Sequence, residues 1–136
     1  MVLVIDGQGG RLGAQIISTL QERYPDIDIV AVGTNSIATT AMIKGGAKKA
    51  ATGENAVKVN AKRADVIIGP IGIVVADSLL GEVTPPMATA VGASSAKKIL
   101  IPSTKCDNHV VGVGNFTVAE LIDKAVDELK ICLQYR

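Results

Sequence analysis

Residues 2–5, "VLVI", form an unbroken run of apolar, mostly β-branched side chains, and glycines stand at 7, 9, 10 and 13 directly after it. A strand with one face in water alternates polar and apolar residues. A strand without that alternation is covered on both faces, as in parallel sheets. The glycines mark a tight turn, after which Leu12, Ile16, Ile17 and Leu20 recur at helical spacing, with Gln15, Thr19 and Glu22 between them. A doubly covered strand, a glycine turn and an amphipathic helix make the first half of a βαβ unit, which restricts the chain to the α/β class.

The same alternation continues. Residues 27–32 predict a second strand, 35–44 a short helix ended by Gly45-Gly46, and 48–51 a short third strand. Residues 65–68 predict a strand closed by Gly69-Pro70, and "IGIVVADSLLG" (71–81) predicts a helix up to Gly81. Thr84-Pro85 predicts an N-cap and first-turn proline for a helix to about Gly92. Residues 98–101 and 110–113 predict two more strands. Thr117 and Glu120 form a capping box before a long helix whose apolar face is Val118, Leu121, Ile122, Ala125, Leu129, Cys132 and Leu133. At 136 residues the chain has enough material for one core and too little for two. The prediction is one three-layer, Rossmann-like α/β domain over residues 1–136 with a mostly parallel sheet.

Composition excludes several functions. A net charge of +1 provides no field to steer the chain to nucleic acid or an anionic membrane. Tyr24, Phe116 and Tyr135 are the whole aromatic set, which argues against a base-stacking platform and against a flavin held between aromatic rings. No apolar run approaches the roughly 20 residues of a membrane helix. Cys106 and Cys132 are far apart and form no CxxC pair, so neither a disulfide framework nor a metal site is expected. A reduced, cytoplasmic setting is the expectation, with no signal peptide before the first strand.

A glycine turn that opens a helix presents backbone N–H groups and the positive end of the helix dipole to an anion. The spacing is Gly7-x-x-Gly10-x-x-Gly13, with Leu12 where G-x-G-x-x-G would place its last glycine. The lysine and hydroxyl of a P-loop are missing. The candidate cofactor-binding set is therefore Gly7, Gln8, Gly9, Gly10, Arg11 and Gly13 for phosphates, with Arg11 also placed for a 2′-phosphate. Gly33, Thr34 and Asn35 would hold a ribose, because no acid follows the second strand. Gly69, Pro70 and Gly72 would form the facing wall across the switch point. Asp6 is awkward there, since a carboxylate repels a phosphate unless it turns away or shares a metal.

The GxxGxxG spacing resembles the loop of extended and atypical short-chain dehydrogenase/reductase-like proteins, and that resemblance implies NAD(P) or another nucleotide as ligand. Their Tyr-x-x-x-Lys pair is absent, because Tyr24 is followed four residues on by Asp28 and Tyr135 lies at the end. Hydride transfer is therefore not carried over. The segments "IDGQGG", "AVGTNSIATTAMIKGGA", "ATGENAV", "ADVIIGPIGIVVADSLLGEVTPPMA" and "KKILIP" also resemble a family of short bacterial proteins classed as a domain of unknown function. That resemblance implies a Rossmann-like, NAD(P)-binding-like fold and no particular reaction. Two alternatives stand beside nucleotide binding. One is a structural or regulatory homo-oligomer with a vestigial site, suggested by the apolar stretch 71–80. The other is a small-molecule enzyme using Lys105, Cys106 and His109 in "PSTKCDNH" (102–109). Glu82, beside Thr84-Pro85, is another candidate acid, and its alternative reading is a first-turn charge that helps a helix start.

Overall fold

A computed structural model describes residues 1–102 and 108–134. In chain order the elements are β1 (Val2–Asp6), α1 (Arg11–Arg23), β2 (Ile29–Gly33), α2 (Ser36–Lys44), β3 (Lys49–Thr52), α3 (Glu54–Arg63), β4 (Val66–Pro70), α4 (Pro85–Ala93), β5 (Lys97–Ile101) and α5 (Val118–Gln134). The strands form one sheet in the order β3-β2-β1-β4-β5, every pair parallel. Val4, opposite Ala31 on one side and Ile68 on the other, sits at its centre. The expected three-layer α/β fold is the fold observed.

Each strand feeds two cores because successive side chains point to opposite faces. Val2 and Val4 pack with Ile16, Ile17 and Leu20 of α1 and with Ile122, Val126 and Leu129 of α5. Leu3 and Ile5 pack with Val57 and Ala61 of α3 and with Met87 and Val91 of α4. The unbroken apolar run of β1 thus serves both layers. Capping proceeds as the sequence predicts. The Thr84 hydroxyl accepts the Met87 N–H at 3.2 Å, and Thr117 and Glu120 exchange bonds of 3.1 and 3.3 Å at the start of α5. Arg23 of α1 reaches Asp123 at 2.7 Å and Asp127 at 2.9 Å, joining α1 to α5 across exposed surface.

Three local expectations are corrected. Helix α3 falls where the sequence pattern assigns no element. Its buried stripe is only Val57 and Ala61, one turn apart among charged residues, although Glu54 in the first turn and Lys62 and Arg63 in the last suit the helix dipole. Residues 71–81 are not a helix. A 3₁₀ turn, Ile71–Val74, gives way to linked turns in which Asp77, Leu79 and Leu80 have φ of 64°, 55° and 56°. The β-branched run Ile71, Ile73, Val74 and Val75 resists helix, and the Ser78 hydroxyl donates to the Gly72 carbonyl instead. Residues 110–113 form no strand. Gly112, at φ +90°, turns the exposed chain there.

Leu129 is fully buried where α5 meets the sheet. Leu129→Ala is expected to cost roughly 2–5 kcal/mol in urea unfolding through its cavity. Arg23→Ala, which breaks exposed ion pairs, is expected to cost no more than about 1 kcal/mol.

Candidate functional site

The β1–α1 turn is closed from within by Asp6. Its carboxylate is buried and accepts the Gly7 N–H at 2.8 Å and the Gly13 N–H at 2.7 Å. Burial pushes the Asp6 carboxyl up and the nearby Glu82 charge adds to that; the two N–H bonds pull the other way, and the net direction is upward. Asp6 therefore turns into the corner, toward the Gly7 and Gly13 N–H groups. The corner dictates small residues. A Cβ on Gly13 would lie 2.6 Å from Met42 Sδ and 2.9 Å from Asp6 Cβ. Gly10 has φ +71°, and a Cβ there would lie 2.6 Å from the Ala38 backbone of α2.

A second carboxylate approaches from the far side. Glu82 Oε1 accepts the Gln8 N–H at 2.8 Å, the Thr34 hydroxyl at 2.8 Å and the Asn35 side-chain amide at 2.6 Å. Partial burial raises the Glu82 carboxyl, and these three bonds outweigh it, holding the group below its ordinary value. Asn35 is also the N-cap of α2, accepting the Ala38 N–H at 2.8 Å. Thr34 and Asn35, expected at a ribose, are thus engaged by Glu82. A Cβ on Gly33 would lie 2.4 Å from Thr39 Oγ1, so this glycine lets α2 close onto β2.

Five N–H groups of the loop are bonded within the chain. Gly7 and Gly13 go to Asp6, Gln8 to Glu82, Gly10 to the Gly7 carbonyl and Ala14 to the Gly10 carbonyl. Among the described residues, the N–H groups of Gly9, Arg11 and Leu12 have no protein acceptor.

These three residues line a cleft of about 510 Å³ at the carboxyl ends of β1, β4 and β5. That is the switch point, where the order runs outward from β1 in both directions. One wall is the turn from Asp6 to Leu12 together with Gln15. The other is apolar, made of Pro70, Leu79, Ile101, Pro102, Val118 and Leu121, with the ring of Phe116. The Lys124 ammonium sits 4.6 Å from the centroid of that ring.

Of the residues singled out in the sequence, Gly7, Gln8, Gly9, Gly10, Arg11 and Pro70 line the cleft, whereas Gly13, Gly33, Thr34, Asn35, Gly69 and Gly72 do not. A Cβ on Gly69 would lie 2.4 Å from the Ile5 carbonyl, so it serves strand contact. Gly72 is buried in the 3₁₀ turn, where its carbonyl accepts the Val75 N–H and the Ser78 hydroxyl. The facing wall expected from "GPIG" is reduced to Pro70. The stretch 71–80, expected as an interface, sends Gly72 and Ile73 into the chain's own core and leaves Leu80 98% exposed. His109 is exposed, and Lys105 and Cys106 lie outside the described residues. Among the described residues no group of three or more His, Cys, Asp or Glu is placed to hold a metal, and no helix is long and apolar enough to cross a membrane. Sequence reasoning missed the cleft side of Phe116, Leu121 and Gln15, and the role of Glu82. Only the capping box before α5 hinted that Phe116 and Leu121 flank a helix start.

A family model matches residues 1–134, nearly the whole chain. The chain belongs to DUF3842, a domain of unknown function. No curated protein matches this DUF3842 chain. Among solved structures it is similar to a dodecameric FMN-dependent UbiX-like decarboxylase from Escherichia coli O157:H7, at 20% identity and a TM-score of 0.46, over 96% of this chain and 76% of that one.

Two variants test the site's construction. Gly10→Ala forces a left-handed alanine against the α2 backbone and is expected to cost roughly 2–5 kcal/mol in urea unfolding. Glu82 is lowered in the fold, so its contribution is present above the unfolded carboxyl pKa and lost as pH falls through the folded value. Asp6 is raised, so its own contribution runs the opposite way and stability falls as pH rises through its folded value. Thermal melts of wild type and Glu82→Gln should therefore show a gap in Tm near neutrality that closes at acid pH. A gap independent of pH would contradict the assignment to Glu82.

Proposed function

We propose that this DUF3842 chain binds a small phosphorylated compound of nucleotide type. One phosphate sits at the amino end of α1 and the rest of the ligand lies along the apolar wall. The observation that carries the reading is the set of three N–H groups, Gly9, Arg11 and Leu12, that have no protein acceptor among the described residues, at the start of a helix and on the wall of a cleft. The Arg11 guanidinium is at hand to share the charge. The cleft's size lies within the range of small-molecule sites. Phe116, Ile101 and Leu121 offer an apolar surface to a base or another planar ring.

The arrangement favours a mononucleotide over a dinucleotide such as NAD(P). Two resident carboxylates already use the donors that a second phosphate would need, and Leu79 and Glu82 close the side toward β2. Binding alone is proposed, with no reaction assigned. A homo-oligomer is the second reading, favoured by Leu80, which stands 98% exposed on a left-handed turn. Light scattering of wild type and Leu80→Ser tests it, and a monomeric wild type at high concentration would remove it.

Gly9→Ala separates binding from folding. A Cβ there meets nothing closer than Arg11 Cγ at 3.9 Å, so the methyl adds bulk at a residue that lines the cleft without a clash within the fold. Calorimetric titration with AMP, ATP, FMN, NAD and NADP should show binding of a monophosphate to wild type. Gly9→Ala should weaken it at least about tenfold, or 1.4 kcal/mol. No heat from any of these at millimolar concentration would overturn the reading.

A further inference from the structure

The contact made by Glu82 has the form of a ligand in a site. Three donors from two different loops converge on one oxygen, Oε1, and among the described residues its other oxygen, Oε2, has no protein donor. Each donor is set in place by bonds that do not involve Glu82. Gln8 lies between Gly7, tied to Asp6, and Gly10, tied to the Gly7 carbonyl. The Thr34 N–H donates to the Asp6 carbonyl at 3.0 Å. The Asn35 side chain caps α2 through Oδ1 and also donates to the Gln8 carbonyl at 3.0 Å.

The segment that delivers the carboxylate is bound mainly to itself. Asp77 N–H donates to the Val83 carbonyl, Val83 N–H to the Ser78 carbonyl, Gly81 N–H to the Asp77 carbonyl, and the Ser78 hydroxyl to the Gly72 carbonyl. Among the described residues, the only hydrogen bonds that join 75–83 to anything outside 72–83 are the three made by Glu82. Apolar contact anchors it through Val83 and Leu79, while Leu80 is spent on solvent. Three non-glycine residues, Asp77, Leu79 and Leu80, hold left-handed backbone within it, a conformation that side chains disfavour.

We propose that the Gln8 N–H, the Thr34 hydroxyl and the Asn35 amide form an oxyanion site that the chain fills with its own Glu82 carboxylate. A ligand's carboxylate or phosphate oxygen takes the same place when the segment 75–83 lifts. The site adjoins the cleft, since Gln8 and Leu79 line both, so its release extends the cleft toward β2. It does not depend on the single-phosphate reading above, which uses other donors.

Glu82→Ala empties the site without touching its donors. Thermal melts would compare wild type and Glu82→Ala in sodium acetate, sodium phosphate and sodium chloride at matched ionic strength. Acetate or phosphate should restore at least half of the Tm lost by the variant and shift wild type far less. Rescue by acetate alone marks a carboxylate site, and rescue by phosphate marks a phosphate site. A folded variant that neither anion stabilises beyond chloride overturns the proposal. Should Glu82→Ala fail to fold, Glu82→Gln keeps an acceptor in place and is read by amide resonances under phosphate. The Gln8 amide should then move further than it does in wild type. Movement confined to Gly9, Arg11 and Leu12 would overturn the proposal while supporting the single-phosphate site.

Discussion

The Asp6 carboxylate ties together the two ends of the first strand-to-helix turn. One oxygen holds Gly7, where the chain leaves β1, and the other holds Gly13, in the first turn of α1. With both bonds made, α1 must start directly above the end of β1. That closeness leaves no room for a side chain at Gly13 and brings Gly10 against Ala38. A buried carboxylate is unfavourable unless its oxygens are satisfied, and the two N–H groups satisfy them at the positive end of a helix. The position of α1, its packing on α2 and the shape of the loop all follow.

The same bonds limit what the loop can offer a ligand. A glycine-rich turn at a helix start carries a row of donors, but here two acids of the chain take three of them and the turn's own carbonyls take two more. What remains is a short cradle on one side of the switch point. Glu82 lowers the potential on the β2 side, and the apolar residues at the ends of β4, β5 and the start of α5 form the other limit. A ligand suited to this asymmetry is anionic at one end and apolar or planar at the other.

The layers were legible because β1 and β4 have unbroken apolar runs, a pattern that only a doubly covered strand requires. Thr84 and the Thr117–Glu120 pair mark their helix starts by local bonding, so they too could be read from neighbours in sequence. Helix α3 escaped notice because a helix buried on two residues has almost no periodic signal. The turns after Ile71 depend on bonds from Ser78 and Asp77 that close only in three dimensions; the length of the apolar stretch suggests helix, while its β-branched residues resist it. Within the site, the glycines announced a turn without saying which of them face a ligand and which allow close packing. Glu82 stood out only as a candidate acid beside a helix start, and its role in the loop was not legible because its three partners lie 47 to 74 residues away along the chain.

The division of the loop's donors is the central claim, and a residue-by-residue map of backbone amides during titration with a nucleoside monophosphate tests it most directly. The Gly9, Arg11 and Leu12 amides are predicted to shift with the ligand while Gly7 and Gly13 stay in place, held by Asp6. Shifts led by Gly7 and Gly13, or a map without change around the loop, would contradict it.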